Sequence, residues 1–134
     1  VSLTFTVTGR PAPQGSKRSI GNNRFIEASK FLPAWRKAVT TQARHAVAEQ
    51  AWQTVAGPVE LYVVFYLERP TSISANKRPL PIKPPDIDKL VRGVADALSD
   101  ADVWVDDAQV VKLVARKAYA DDMAPGCYVE ISEI

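Results

Sequence analysis

Asp86 and Asp88, in the stretch Pro84-Pro85-Asp86-Ile87-Asp88-Lys89-Leu90, are the residues of this chain best placed by type and spacing to do chemistry. Two aspartates separated by one residue point about 200° apart on a helix but share a face in an extended segment. Pro85 biases Pro84 toward extended geometry, and proline is poorly tolerated inside a helix. Asp86-Ile87-Asp88 is therefore placed in extended or N-cap geometry just ahead of a helix, with both carboxylates converging and Ile87 facing the core. Hard oxygen donors of this kind suit Mg²⁺, which keeps several waters and binds through a few carboxylates and phosphate oxygens. The competing reading is that one aspartate caps the helix; one cap leaves the second aspartate without a reason. Asp106-Asp107 stands at a turn that leads into an apolar run, and carboxylates at the ends of separate elements can complete a metal site. Alternation sends these two opposite ways, so one of them joins such a site and the other serves the turn. Arg92 lies four residues after Asp88, on the same helix face. There it is either an ion-pair partner or a fixed cation for charge developing on a phosphoryl oxygen.

The charge distribution supports a phosphate-directed site. The net charge of +2 divides unevenly. Residues 86–107 hold seven acids and two bases, whereas the rest of the chain holds fifteen bases and eight acids. Bases attract phosphate, and a cluster of acids can hold a cation that bridges to it. A solvated acidic surface is the alternative. A single cysteine, Cys127, excludes an internal disulfide and a cysteine-rich zinc site, and in a strand it reads as a buried thiol. With one histidine, His45, a histidine-based triad or metal site has almost nothing to draw on. No apolar run is long enough to span a bilayer, and the first residues lack the pattern of a secretory signal. A cytoplasmic protein is expected.

The elements that must carry these residues follow from patterning. Residues 2–8 alternate as a half-buried strand, 9–15 are irregular, and 16–27 suggest two short extended pieces around Gly21-Asn22-Asn23. Ser29 to Gln53 reads as a helix with Pro33 in its first turn, ended by Gly57-Pro58. Residues 59–67 form a central strand, and 69–85 a long proline-rich loop bearing four bases and no acid. A helix over about 88–99 follows, with Leu90, Val91, Val94, Ala97 and Leu98 inward; then come a strand in the second half of 105–120 and a last strand over 127–133. The order predicts one small α/β (α+β) domain over 1–134, a mixed sheet with two main helices. Trp35 and Trp52 are assigned to the core; Trp104 is assigned there too, with base stacking as the alternative.

Two stretches resemble a known family. Pro85 to Arg92 followed by Asp96-Ala97-Leu98, and then Trp104-Val105-Asp106-Asp107-Ala108-Gln109-Val110-Val111, resemble the signature of the RusA family of Holliday junction resolvases, roughly D-x-D-N-L-x-K, D-A-L, then W-x-D-D-x-Q-V. The gap between the two parts also agrees. Pro11 to Arg18 looks like the basic loop of phage-type members, and Trp35-Arg36 fits the same pattern. The resemblance implies Mg²⁺-dependent endonucleases that act as homodimers on four-way DNA junctions in recombination and repair, nicking two opposed strands symmetrically. It implies Asp86, Asp88 and Asp107 as catalytic metal ligands, which selects Asp107 over Asp106. The family's lysine falls at Arg92, a guanidinium that can clamp charge but not shuttle a proton. Lys89 stands where asparagine is usual and adds a candidate phosphate contact. On this reading Lys17, Arg18, Arg69, Lys77, Arg78 and Lys83 are the other candidate DNA contacts. The alternatives are a structure-selective nuclease on forks, flaps or packaging intermediates, and a DNA-binding module that has lost activity.

Overall fold

In the computed structural model of the chain, which describes residues 1–15, 17–22, 24–27 and 29–134, with backbone alone at 17, 18 and 24–27, four strands form one sheet. They are β1 (Ser2–Thr8), β4 (Val59–Leu67), β5 (Val110–Tyr119) and β6 (Gly126–Glu133), in the order β1-β6-β4-β5. A two-stranded hairpin, β2 (Lys17–Gly21) with β3 (Arg24–Glu27), lies outside it. The helices are α1 (Leu32–Glu49) and α2 (Ile87–Asp100). This is the small α+β architecture with a mixed sheet that the patterning predicts.

Alternation decides which face is covered. Along β4, Val59, Leu61, Val63, Phe65 and Leu67 are buried, while Glu60, Tyr62 and Tyr66 on the other face are only half-buried. Leu3, Val7, Cys127, Val129 and Ile131 continue the buried layer across β1 and β6. Trp35, Val39 and Ala43 from α1, with Leu90, Val94 and Leu98 from α2, close the core over it. Trp52 and Trp104 join that core, and Trp104 Nε1 donates to Ser99 Oγ at 2.7 Å, so Trp104 is not a stacking platform.

Both helices end in the same way. After α1, Ala51 takes a left-handed φ of 53°, while its N–H donates to Ala48 and that of Trp52 to Val47. After α2, Asp102 has φ 57°, with N–H donation from Asp102 to Ser99 and from Val103 to Leu98. These are Schellman closures built without glycine. The first ends α1 at Glu49, short of the Gln53 expected from periodicity.

One connection governs the site. β4 and β5 pair in parallel, so α2 must cross back from the end of one to the start of the other. The start of α2 therefore stands at the C-terminal end of β5, and the end of α2 at its beginning. At the near end, Lys117 Nζ, late in β5, donates to the carbonyls of Lys83 (3.1 Å) and Pro85 (3.0 Å). At the far end, Trp104 bridges to Val55, and the turn at 105–109 is tied to Val55 and Gly57.

Candidate active site

Asp86 is the N-cap of α2, with extended backbone (φ −71°, ψ 139°), and Asp88 lies in the first helical turn. The start of α2 is thus one residue earlier than the pattern suggests. Ile87 is 36% exposed rather than turned into the core, because the helix has already begun at that position. The side chain of Asp86 makes no capping hydrogen bond. Its neighbour is Lys89 Nζ at 3.7 Å, with the Asp86 carboxylate exposed and the lysine side chain half-buried. Capping therefore does not account for either carboxylate. The positive end of the helix favours negative charge at this position.

The expected surface pair between Arg92 and Asp88 is absent among the described residues. Arg92 instead lies against the loop before the hairpin, where a β-carbon at Gly15 would collide with its guanidinium, and Gly15 has φ +99°. That loop is fixed to α2: Gln14 N donates to Lys89 O at 3.0 Å, and Gln14 Nε2 donates to Asp96 Oδ2. Asp96 is thus a structural acceptor.

The second acidic pair divides its work. Asp106 caps the 3₁₀ turn Asp107–Gln109, its carboxylate accepting from Ala108 N at 3.3 Å. Gln109 holds the turn from both ends of its amide. Oε1 accepts from Val105 N and Asp106 N, and Nε2 donates to Val55 O and Gly57 O, all at 2.8 Å. Asp107 is left exposed, its backbone carbonyl accepting from Val110 N while its carboxylate has no hydrogen bond or ion pair among the described residues.

The three aspartates do not converge within one chain. Among the described residues no three of His, Cys, Asp and Glu gather as a metal site. Helix α2, fourteen residues long, puts roughly 20 Å between Asp86 at its start and the turn carrying Asp107 beyond its end. The count along β5 from Val110 to Lys117 gives a similar length. One chain supplies two exposed carboxylates at one end of α2 and a third at the other.

The candidate DNA contacts also separate. Arg69 is committed to the fold: Nε and Nη2 pair with Asp121 at 2.7 and 2.9 Å, Nη1 donates to Ser74 O and Arg78 O, and the guanidinium lies 4.0 Å over the Tyr119 ring. That hydrogen bond and charge hold the Asp121 carboxyl below its ordinary pKa and raise that of Arg69. Lys77 and Lys83 are exposed, and Arg78 half-exposed, with no ion pair among the described residues. The side chains of Lys17 and Arg18 lie outside the described residues. Sequence reasoning missed Lys117, whose amine fixes the approach to Asp86, and it quoted Gln109 in the family signature without the role found here, holding the turn that carries Asp107. It also missed Arg10, whose guanidinium lies 3.7 Å over Phe31. A lysine within a strand carries no distinctive signal of its own.

A profile of the family "Endodeoxyribonuclease RusA" matches residues 7–132, nearly the whole chain. The chain belongs to the RusA endodeoxyribonuclease family. An uncharacterized protein of Bacillus subtilis (strain 168), YqaN, is 33% identical over 146 residues, a match covering 98% of this chain and 96% of that protein. Both matches run across residues 84–111, the stretch that holds the start of α2 and the turn at 106–109. The family is one of endodeoxyribonucleases, so DNA is the substrate class. No helix of the described residues is long and apolar enough to cross a membrane.

Proposed function

We propose that this protein is a Mg²⁺-dependent endonuclease that resolves four-way DNA junctions in recombination and repair, with each active site assembled from two copies of the chain. The observation that carries this reading is the exposed pair Asp86 and Asp88, neither used as a side-chain cap, with the exposed Asp107 at the opposite end of α2.

The sheet offers a means of joining them. β5 is an edge strand, and no described backbone group pairs with its outer side. Val111, Leu113 and Val114 on it are exposed at 64, 50 and 36%, and Val105 nearby at 70%. Long apolar edges invite another strand. The opposite edge, β1, is covered instead, because the Gln50 amide pairs with Thr4 N and O. A two-fold axis at β5 sets two such strands antiparallel, the start of one beside the end of the other. The partner's turn at 107 then arrives at the end of the sheet where Asp86 and Asp88 stand. The pairing makes two equivalent sites, which suits symmetric nicking of a junction with approximate two-fold symmetry.

Within one chain the three acids do not fit a single ion; as a shared set, their hard oxygen donors suit Mg²⁺. The ion supplies neutralisation of the scissile phosphate and a lowered pKa for an attacking water. Of the chain's own groups, Asp86 and Asp88 hold the charge at the α2 start, and Asp106 and Gln109 present Asp107. Arg92, kept in place by Gly15, offers a fixed cation to the phosphoryl oxygen. Lys77, Arg78, Lys83 and Lys89 draw in the backbone phosphates, so binding weakens steeply with salt.

Cleavage of synthetic four-way junction, fork, flap and linear duplex in Mg²⁺ tests the assignment. Paired nicks in opposed strands of the junction, absent on duplex, are expected. Equal or better cutting of forks or flaps moves the substrate to those structures, and no cutting of any of them rejects the enzymatic reading.

A further inference from the structure

A cleft of about 780 Å³ opens beside the start of α2. Its walls are the loop following β1, the loop following β4 and the residue that precedes Asp86, with Tyr119 at the end of β5. It therefore lies outside the C-terminal ends of the parallel pair β4 and β5, where open sheets with crossover helices take ligands. Seven of the twenty residues lining it are prolines. Prolines have no N–H to offer and little freedom to lose, so the walls present rigid apolar faces rather than hydrogen-bond readout. Most of the charge on the walls is positive. Arg10, Arg78 and Lys83 line the cleft without an ion pair among the described residues, Arg69 is neutralised by Asp121, and Glu68 is the one carboxylate on the walls. The Arg10 guanidinium lies 3.7 Å over the Phe31 ring, and the residue is exposed. A guanidinium fixed in this way can stack on a base and hold a phosphate at once.

We propose that this cleft receives one unpaired nucleotide of the DNA strand next to the scissile phosphate. The base packs between Arg10 on Phe31 and the proline walls, and the flanking phosphates meet Arg78 and Lys83. This rests on the reading of the protein as a nuclease of branched DNA. The volume falls in the ~300–1,000 Å³ range of pockets for single small ligands, and a duplex cannot enter it. Pro84 and Pro85 lead directly into Asp86, so a nucleotide held here places the next phosphate toward the acids. Stacking without directional readout takes any base, so capture depends on the strand being unpaired, as at a branch.

The test uses the full chain with fluorescent tetrathymidylate, a linear duplex and an acidic octapeptide as probes, compared by anisotropy at fixed salt. Wild-type protein is expected to bind tetrathymidylate. Phe31→Ala and Arg10→Gln each weaken that binding roughly tenfold while changing duplex binding less than twofold. Matching thermal melts establish that both variants fold; if Phe31→Ala fails to fold, Arg10→Gln decides alone. Unchanged tetrathymidylate binding in the folded variants overturns the proposal. So does an equal loss on duplex, which marks a general phosphate contact, or equal binding of the octapeptide, which marks a site for charge alone. Failure of the wild-type protein to bind any DNA overturns the nuclease reading together with the cleft; selective failure of the variants to matter overturns the cleft only.

Discussion

Replacing Gln109 by alanine removes four hydrogen bonds that hold the turn presenting Asp107. A single intramolecular hydrogen bond contributes about 1 kcal/mol net, and four give at most ~4 kcal/mol. Three of the four are solvent-exposed, so water takes over much of their partnership; only the bond to Val55 O is partly buried. The expected loss of stability is therefore ~1.5–3 kcal/mol, read from urea unfolding at constant slope. Gln109→Glu keeps the acceptor for Val105 N and Asp106 N but sets a carboxylate oxygen against Val55 O and Gly57 O, so it is expected to lose as much or more. The effect on function separates from stability. Assayed well below the unfolding transition, Gln109→Ala is expected to cut a junction at least tenfold more slowly, with junction binding preserved, because Asp107 no longer sits on a fixed turn. A stability change under 0.5 kcal/mol, or a cleavage rate equal to wild type, would refute the assignment of Gln109 as the residue that positions Asp107.

Three further outcomes follow from the geometry. Ala51 closes α1 at φ 53°, a conformation that costs a side-chain-bearing residue ~1 kcal/mol, so Ala51→Gly is expected to raise stability by about 0.5–1 kcal/mol in urea unfolding. Burial pushes the Cys127 thiol up to about 12, whereas an unfolded cysteine ionises near 8.5. The protonated thiol's contribution is thus complete below pH ~8.5 and is lost as pH rises toward 12, so the stability advantage of wild type over Cys127→Ala should shrink by ~2 kcal/mol between pH 8 and pH 10. Lys117→Met removes the amine that holds the carbonyls of Lys83 and Pro85, and is expected to slow cleavage at least fivefold while leaving the α-helical circular dichroism unchanged.

The main elements were legible because their signals are local. Leu3, Val7 and the alternating residues of β6 declare half-buried strands, the apolar run of β4 declares a central one, and Leu90, Val94 and Leu98 declare the inward face of α2. The end of α1 was not legible, since Ala51 looks like another helical alanine and its left-handed backbone arises from the closure onto Val47 and Ala48. The burial of Ile87 was misjudged for a similar reason: helix geometry, already in force at that position, turns it outward. At the site, residue types were legible and their distances were not. The parallel pairing of β4 with β5 is what sends Asp107 to the far end of α2, and no local pattern reveals that pairing. Arg69 looked like any other loop base; only the positions of Asp121 and Tyr119 show that it serves the fold.

The shared active site is tested most directly by mixing two inactive proteins, Asp88→Asn and Asp107→Asn, under conditions that let subunits exchange. If Asp86 and Asp88 of one chain work with Asp107 of its partner, each mixed dimer contains one wholly wild-type set and one doubly altered set, and single-strand nicking of a four-way junction returns. If each chain carries its own complete set, both sites of every mixed dimer lack one acid, and the mixture stays as inactive as its components.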